Sequence, residues 1–184
     1  MIKVYNYIPP VGLKPEAQEF LDRVGGLRFV TEVTNTKSIF GKQRHLYSHA
    51  VPKLGTSIIQ HDLRKVSLGR AVFVDEHYVM APKKSIELDD ILVYHAGNCR
   101  ELGLGRALIN TVTTDDEIRA KKKSWWATNI LHQSWGFYEK LGCQIEGGVV
   151  RKEIDFSACE HFELDEESTY IADKHGLIFN VAQG

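Results

Sequence analysis

An α/β fold is expected of this chain. The stretch Ile86 to His95 is rich in Ile, Leu, Val and Tyr, as a strand is, and directly downstream Leu104, Leu108 and Val112 recur every four residues, as on one face of a helix. Between them lies Cys99-Arg-Glu-Leu-Gly-Leu-Gly-Arg-Ala-Leu108, a strand-to-helix turn. Strand-like and helix-like segments alternate along the remaining sequence, and 184 residues suit one domain with a single core.

Composition narrows the class of protein. With 43% hydrophobic and 26% charged residues and a formal net charge of −1, the chain is ordinary for a globular protein, and its overall charge favours no partner. Three cysteines, Cys99, Cys143 and Cys159, are an odd number at unrelated spacings, which argues against a disulfide framework or a zinc ribbon. The start, Met-Ile-Lys-Val-Tyr-Asn-Tyr, has no apolar leader core, and no run reaches the ~18 apolar residues of a membrane span. A soluble protein of a reducing compartment, the cytoplasm, is expected, with no membrane partner.

In chain order, Ile2 to Ile8 reads as a first strand, ended by Pro9-Pro10 and Gly12. Pro15 suits the first turn of a helix whose apolar face is Phe20, Leu21 and Val24, and Gly25-Gly26 stop it. Leu27 to Val33 reads as a second strand. From Thr34 to Leu54 the pattern dissolves into polar residues with scattered aromatics, and a long loop or short helical turns are expected. Strands resume at Thr56–Gln60, Ala71–Val74 and His77–Ala81, the last two as a hairpin turning at Asp75-Glu76, before Ile86–His95. After the glycine turn one helix is expected to about Ala120, then a buried strand Trp125–Asn129 and a helix from about Leu131 to Leu141 closed by Gly142. Strands at Cys143–Ile145 and Val149–Phe156 follow. Past Ser157 comes a polar, acidic extension with a late apolar strand at Gly176–Val181.

The glycine turn carries the first chemical signal. Gly103 and Gly105 allow a tight turn and leave backbone N–H groups uncovered at a helix N-terminus, whose dipole amounts to roughly +0.5 charge, so a phosphate is suited there. Position 108 is Leu, where a dinucleotide fingerprint needs a third small residue, and no Gly-Lys-Ser/Thr of a P-loop is present. Arg100-x-x-Gly103-x-Gly105, with Arg106-Ala-Leu following, instead resembles the acyl-CoA signature of the GNAT superfamily of N-acyltransferases. Ser134-Trp-Gly-Phe-Tyr-Glu-Lys-Leu-Gly-Cys143 is similar to the later helix motif of the same family, at the expected distance downstream.

That resemblance implies a GNAT fold: one domain over residues 1–156, with a central mixed, mostly antiparallel sheet flanked by helices, and residues 157–184 packed on it as an acidic extension. It implies an acetyltransferase that moves an acyl group from acetyl-CoA to an amine by direct attack. The backbone from Arg100 through Glu101, Leu102, Gly103, Leu104 and Gly105 to Arg106 would hold the CoA pyrophosphate. Tyr138 corresponds to the family's general acid, and with an ordinary pKa near ~10 it carries its proton at neutral pH. The plain reading of Tyr138 is a packed tyrosine sharing helical spacing with Leu131 and Leu141.

Family members place a Glu or Asp base on the strand before the turn, and Asp89 lies nearest to that placement. Neighbouring strand residues face opposite sides, so Asp89 and Asp90 are not expected to point into one site, whereas Glu87 shares a face with Asp89. Asn129 ends the strand before the catalytic helix, where an Asn often bonds the pantetheine arm. Tyr138 follows it by nine positions rather than the usual seven. Ser134 stands for the usual Ala and Cys143 for the usual Phe.

Other chemistries have weaker support. Cys159-Glu-His161 and His175 lack metal-ligand spacing, so no metal is expected. His95 and His132 flank the two motifs and are alternative bases, and Cys99 has no nearby base to activate it. Residues 37–70 hold seven basic side chains against one acid, with His45, His49 and His61 interleaved. A nucleotide or nucleic-acid acceptor is therefore open beside a small-molecule or protein amine, as is a catalytically inactive acyl-CoA-binding or partner-binding module. A homodimer is compatible with the sequence.

Overall fold

The computed structural model describes residues 2–9, 11–38, 41–56, 62–75, 84–94 and 102–154, together with the backbones of 162–164, 170–172 and 178–180. Its elements in order are β1 (Ile2–Tyr7), α1 (Pro15–Arg23), β2 (Leu27–Ser38), β3 (Gly41–Pro52), α2 (Leu63–Val66), β4 (Gly69–Asp75), β5 (Ser85–Val93), α3 (Leu104–Thr113), α4 (Asp116–Lys121) and β6 (Ser124–Ala127). A 3-10 turn (His132–Ser134) then leads into α5 (Trp135–Lys140), β7 (Gln144–Glu146) and β8 (Val149–Glu153), followed by the short strands β9 (Phe162–Leu164), β10 (Tyr170–Ala172) and β11 (Ile178–Asn180). Strands and helices alternate as the sequence leads one to expect, with the short α2 added between β3 and β4.

All strands join one mixed sheet in the order β11-β10-β1-β2-β3-β4-β5-β6-β8-β7, with β9 also paired to β1. Every described pairing is antiparallel except β5 with β6, which is parallel. A parallel pair needs a crossover, and α3 and α4 supply it. The expected sheet flanked by helices is thus present.

One face of the sheet carries the main core. Phe29, Leu46, Phe73, Ile86 and Trp125 from the strands pack with Phe20 and Leu21 of α1, Leu104, Leu108 and Val112 of α3, and Tyr138 and Leu141 of α5. Burying each large side chain contributes roughly 1.5–3 kcal/mol. A polar tie joins α3 to this face, the buried Ser48 and Thr111 hydroxyls lying 2.7 Å apart. The opposite face holds a smaller cluster, Ile2, Val4, Val30 and Val51, covered by Leu63 and Val66 of α2.

The structure corrects two expectations. Residues 34–54 form no long loop: β2 and β3 make one hairpin in continuous register from Leu27↔Pro52 to Ser38↔Gly41. Near its base both faces are buried, with Leu46, Ser48 and Ala50 on one side and His49 and Val51 on the other; residues 34–37 at its far end are exposed. Residues 34–52 therefore do not show the alternation of a half-buried strand, and the ladder holds them regardless. The single helix expected to Ala120 is two. Thr114 Oγ1 donates to the Asn110 carbonyl, and Asp115 caps α4 by accepting from the Glu117 N–H at 3.0 Å. An Asp followed by Asp116 and Glu117 in a first turn is a helix-start signal. The expected strands at 56–60 and 77–81, and the turn at Asp75-Glu76, fall mostly or wholly outside the described residues.

Candidate functional site

The site arises where the parallel pair comes apart. β5 and β6 are in register only from Ser85↔Ser124 to Glu87↔Trp126. Beyond those residues the chains diverge, and a cleft of about 480 Å³ opens between Leu88–Val93 on one side and 127–131 on the other, floored by Gly105, Phe137 and Tyr138. The facing edges of two splayed strands present backbone N–H and C=O groups to whatever enters. Leu88, Ile91, Val93, Ile130 and Leu131 make the apolar part of its walls, and Asp89, Asp90, Thr128, Asn129, Gln133 and Ser134 the polar part.

A β-bulge shapes the β5 wall. The β4–β5 register runs Val74↔Glu87, Phe73↔Leu88 and then Val72↔Asp90, so Asp89 is an extra residue with no counterpart on β4. A bulge interrupts alternation and re-aims side chains. Asp89 and Asp90 accordingly both line the cleft, contrary to the alternation expected of a regular strand. Asp89 is exposed; Asp90 is half-buried and accepts from Arg70 Nε and Nη2 at 3.2 and 3.0 Å, both on Oδ2.

Tyr138 stands on α5, buried against Trp125 and Phe137 at ring-centroid distances of 6.4 and 5.1 Å, and it lines the cleft as well. Burial pushes its hydroxyl pKa up to about 12, with smaller contributions from Cys143 and the negative charge of Asp90. Tyr138 is therefore both the packed tyrosine of the plain reading and a protonated hydroxyl at the cleft. Asn129, exposed, holds φ 55° on the opposite wall, a left-handed conformation that Asn tolerates better than most residues. Of the eight residues between Asn129 and Tyr138, the 3-10 turn takes up three.

At the head of α3 the two glycines serve different needs. Gly103 is the N-cap with φ 65°, and a Cβ there would meet nothing within 4 Å among the described residues. A Cβ at Gly105 would come within 2.7 Å of Phe137 Cε2, so this glycine lets α5 close onto α3. Leu102 and Leu104 are buried core residues that leave only their backbone to a ligand, and the Leu102 carbonyl accepts from the Tyr7 hydroxyl. Arg106 turns away, donating to the Lys140 carbonyl at 3.2 Å. Arg100 and Glu101 lie outside the described residues, as do Cys99, His95, Cys159, His161 and His175.

Other candidates are placed elsewhere. His132 packs its ring on Trp135 at 4.6 Å, and burial raises the Cys143 thiol to about 11, which leaves it protonated and unreactive. Within the basic stretch, Arg44 makes a two-point ion pair with Glu117, Arg64 pairs with Asp62 and Arg70 with Asp90. Much of that charge is thus met within the protein, while Lys37, Lys53 and Lys65 are exposed. Sequence reasoning did not single out Arg70 as a partner of the cleft or Phe137 as its floor. The only advance signal was Phe137's place inside the second motif. Among the described residues no helix is long and apolar enough to cross a membrane.

Fold and site together define an α/β protein with a ligand cleft opened by two splayed parallel strands. No family model matches the chain, and no curated protein matches it. Solved structures similar to it include a point mutant of the AtaT toxin bound to the C-terminus of the antitoxin AtaR and acetyl-CoA, at 9% identity over 60% of this chain and 68% of that one, with a TM-score of 0.43. An acetyltransferase of the GNAT family from Staphylococcus aureus Mu50 is similar at 12% identity over 60% and 68% of the two chains, with a TM-score of 0.42. AtaT complexed with acetyl-methionyl-tRNAfMet is similar at 10% identity over 59% and 71%, with a TM-score of 0.42.

Proposed function

We propose that the protein is a CoA-dependent N-acyltransferase of the GNAT kind, an acetyltransferase acting on an amine. The observation that carries this reading is the convergence on one cleft of Tyr138, Asp89, Asn129 and Gly105, residues drawn from four separate segments, Gly105 and Tyr138 singled out by the two motifs and Asp89 and Asn129 by the placement the resemblance implies. A catalytically inactive binding module is the alternative, and it requires no proton donor at the cleft.

Acetyl-CoA would supply the activated thioester. The amides at the head of α3 from Leu102 to Arg106, with the undescribed Arg100 and Glu101, would hold its pyrophosphate, and the facing edges of β5 and 127–131, with Asn129, its extended arm. The open space at Gly103 among the described residues and its left-handed φ fit that use. In the transfer the amine nitrogen bonds to the acyl carbon, the C–S bond breaks, the sulfur gains a proton and the nitrogen loses one. Tyr138, protonated throughout the neutral range, serves as donor to the sulfur. Asp89, exposed at the bulge, receives the amine's proton directly or through water.

Replacing Tyr138 by Phe tests this assignment. It is expected to lower kcat by about 100-fold while acetyl-CoA affinity, read by calorimetry, stays near wild type. Unchanged turnover would return Tyr138 to packing alone. Gly103→Asp adds a negative charge where the phosphates would sit, and unaltered acetyl-CoA affinity in that variant would overturn the assigned turn.

A further inference from the structure

The Arg70–Asp90 pair is built across the sheet toward the cleft. Val72 and Asp90 are directly opposed on β4 and β5, and Arg70, two residues along β4, opposes Leu92. All four lie on one face, so the guanidinium reaches Asp90 diagonally. Both of its donors, Nε and Nη2, fall on the same carboxylate oxygen, Oδ2, which leaves Oδ1 outside the pair. Two donors on one oxygen fix where the carboxylate sits better than a single contact does.

The pair is half-open to solvent, with side chains 34% and 43% exposed, so its strength as a surface ion pair is small. What it does provide is a negatively charged group set on the cleft wall one residue past the bulge. Asp90's charge also reaches the Tyr138 hydroxyl, whose proton it helps retain. Asp89 has no ion pair or hydrogen bond among the described contacts that would fix its carboxylate, and it is the more exposed of the two.

We propose that Asp90, set in place by Arg70, is the residue that holds the ammonium group of the acceptor, and that Arg70 is its positioning residue. This rests on the acyltransferase reading and deepens it: the acceptor is a cationic amine with an apolar body, matched to one fixed carboxylate and walls made by Leu88, Ile91, Ile130 and Leu131. A protonated amine donates to Oδ1 while Arg70 keeps Oδ2. An ammonium held this way sheds one proton before its lone pair can attack and a second as the amide forms: Asp89 takes the first and passes it to solvent, and the second returns through water to the Tyr138 oxygen that has protonated the sulfur.

Benzylamine, cationic at neutral pH and apolar elsewhere, is the probe. Its binding to the full chain is measured by calorimetry for wild type, Asp90→Asn, Arg70→Gln, Arg70→Lys and Asp89→Asn, and acetyl-CoA binding is measured on the same samples. Asp90→Asn is expected to weaken benzylamine by about tenfold or more, since a charge-assisted bond is lost. Arg70→Gln is expected to weaken it by about threefold or more, and Arg70→Lys to restore part of that, because a lysine keeps the charge without the planar fork. Asp89→Asn should weaken it less than Asp90→Asn. A purely structural Arg70 would lower the melting temperature and leave the affinity of the folded fraction unchanged. That result, failure of wild type to bind benzylamine, or a loss in Asp89→Asn as large as in Asp90→Asn would each overturn the proposal. Wild type that binds acetyl-CoA but not benzylamine would leave the acyltransferase reading standing without this amine site. Benzylamine binding that depends on Asp90 and Arg70, in a protein that does not bind acetyl-CoA, would uphold the site and overturn the acyltransferase reading.

Discussion

A side chain at position 105 would bring its Cβ within 2.7 Å of Phe137 Cε2 and 3.0 Å of Cζ, and Phe137 is itself part of the cleft floor. Gly105→Ala is therefore expected to displace that ring. Overpacking of this kind costs about 1–3 kcal/mol, against a gain of up to about 1 kcal/mol from alanine's better helix propensity. Net destabilisation by urea unfolding, together with weaker acetyl-CoA binding, is the expected outcome, and adding Phe137→Leu should recover stability. Gly103→Ala behaves differently because nothing crowds it. Its cost, about 1–2 kcal/mol, comes from the left-handed φ of 65° alone. Equal losses in the two variants, with no rescue by Phe137→Leu, would contradict this division.

Between elements, the long β2–β3 hairpin is latched to the α3–α4 corner by charge. Arg44 on β3 grips both oxygens of Glu117, Lys121 donates to the same carboxylate at 3.0 Å, and Lys3 on β1 pairs with the α4 cap Asp115. Hydrogen bonds from Arg44 and then Lys121 hold the Glu117 carboxyl down at about 2. A carboxyl depressed in the folded state stabilises fully above its unfolded pKa, near ~4.3, and that contribution is lost as pH falls toward 2. Because Glu117 is half-exposed, screening keeps the effect below about 1 kcal/mol. Wild type is thus expected to melt higher than Glu117→Gln at pH 6, with the difference shrinking steadily as pH falls from about 4 through 2. A gap as wide at pH 2 as at pH 6 would assign the variant's loss to packing rather than to charge.

Over the whole molecule, one sheet runs from β7 at one edge past β1 to the strands formed after residue 157. β1 pairs with β2 on one side and with β9 and β10 on the other, through Tyr5↔Leu164, Asn6↔Glu163, Tyr7↔Phe162 and Ile2↔Tyr170. We propose that residues 1–156 form the unit that builds the cleft and that 157–184 cover its edge. Removing the latter would leave β1 as an open edge, a template for pairing with other chains. A chain ending at residue 156 is expected to bind acetyl-CoA within about twofold of the full protein, since the cleft is built by β5, β6, α3 and α5, while self-associating as its concentration rises. Loss of acetyl-CoA binding in a still-folded truncation would place part of the site in the extension.

What the sequence determined alone was written in local pattern. The helix of α1 was legible from Pro15, the Phe20-Leu21-Val24 stripe and the Gly25-Gly26 stop, and the strand-turn-helix around Gly103 and Gly105 from a change of apolar period across two glycines. Tyr138 and Gly105 were found by motif, and they do share a cleft with Asp89 and Asn129. These features depend on residues within a turn or two of one another. The tertiary structure decided everything set by register between distant segments. Twelve paired positions extend the strand begun at Leu27 and make a second strand of 41–52, where the sequence has no strand pattern, one unmatched residue at Asp89 puts two neighbouring acidic residues on the same cleft, and the parallel strands part after Glu87 and Trp126 to make that cleft at all. Arg70 reached its partner twenty positions away in the same manner. A ladder's hydrogen bonds are satisfied by whichever strand lies alongside, so their register, and the side chains it brings together, emerge only when the whole sheet is assembled.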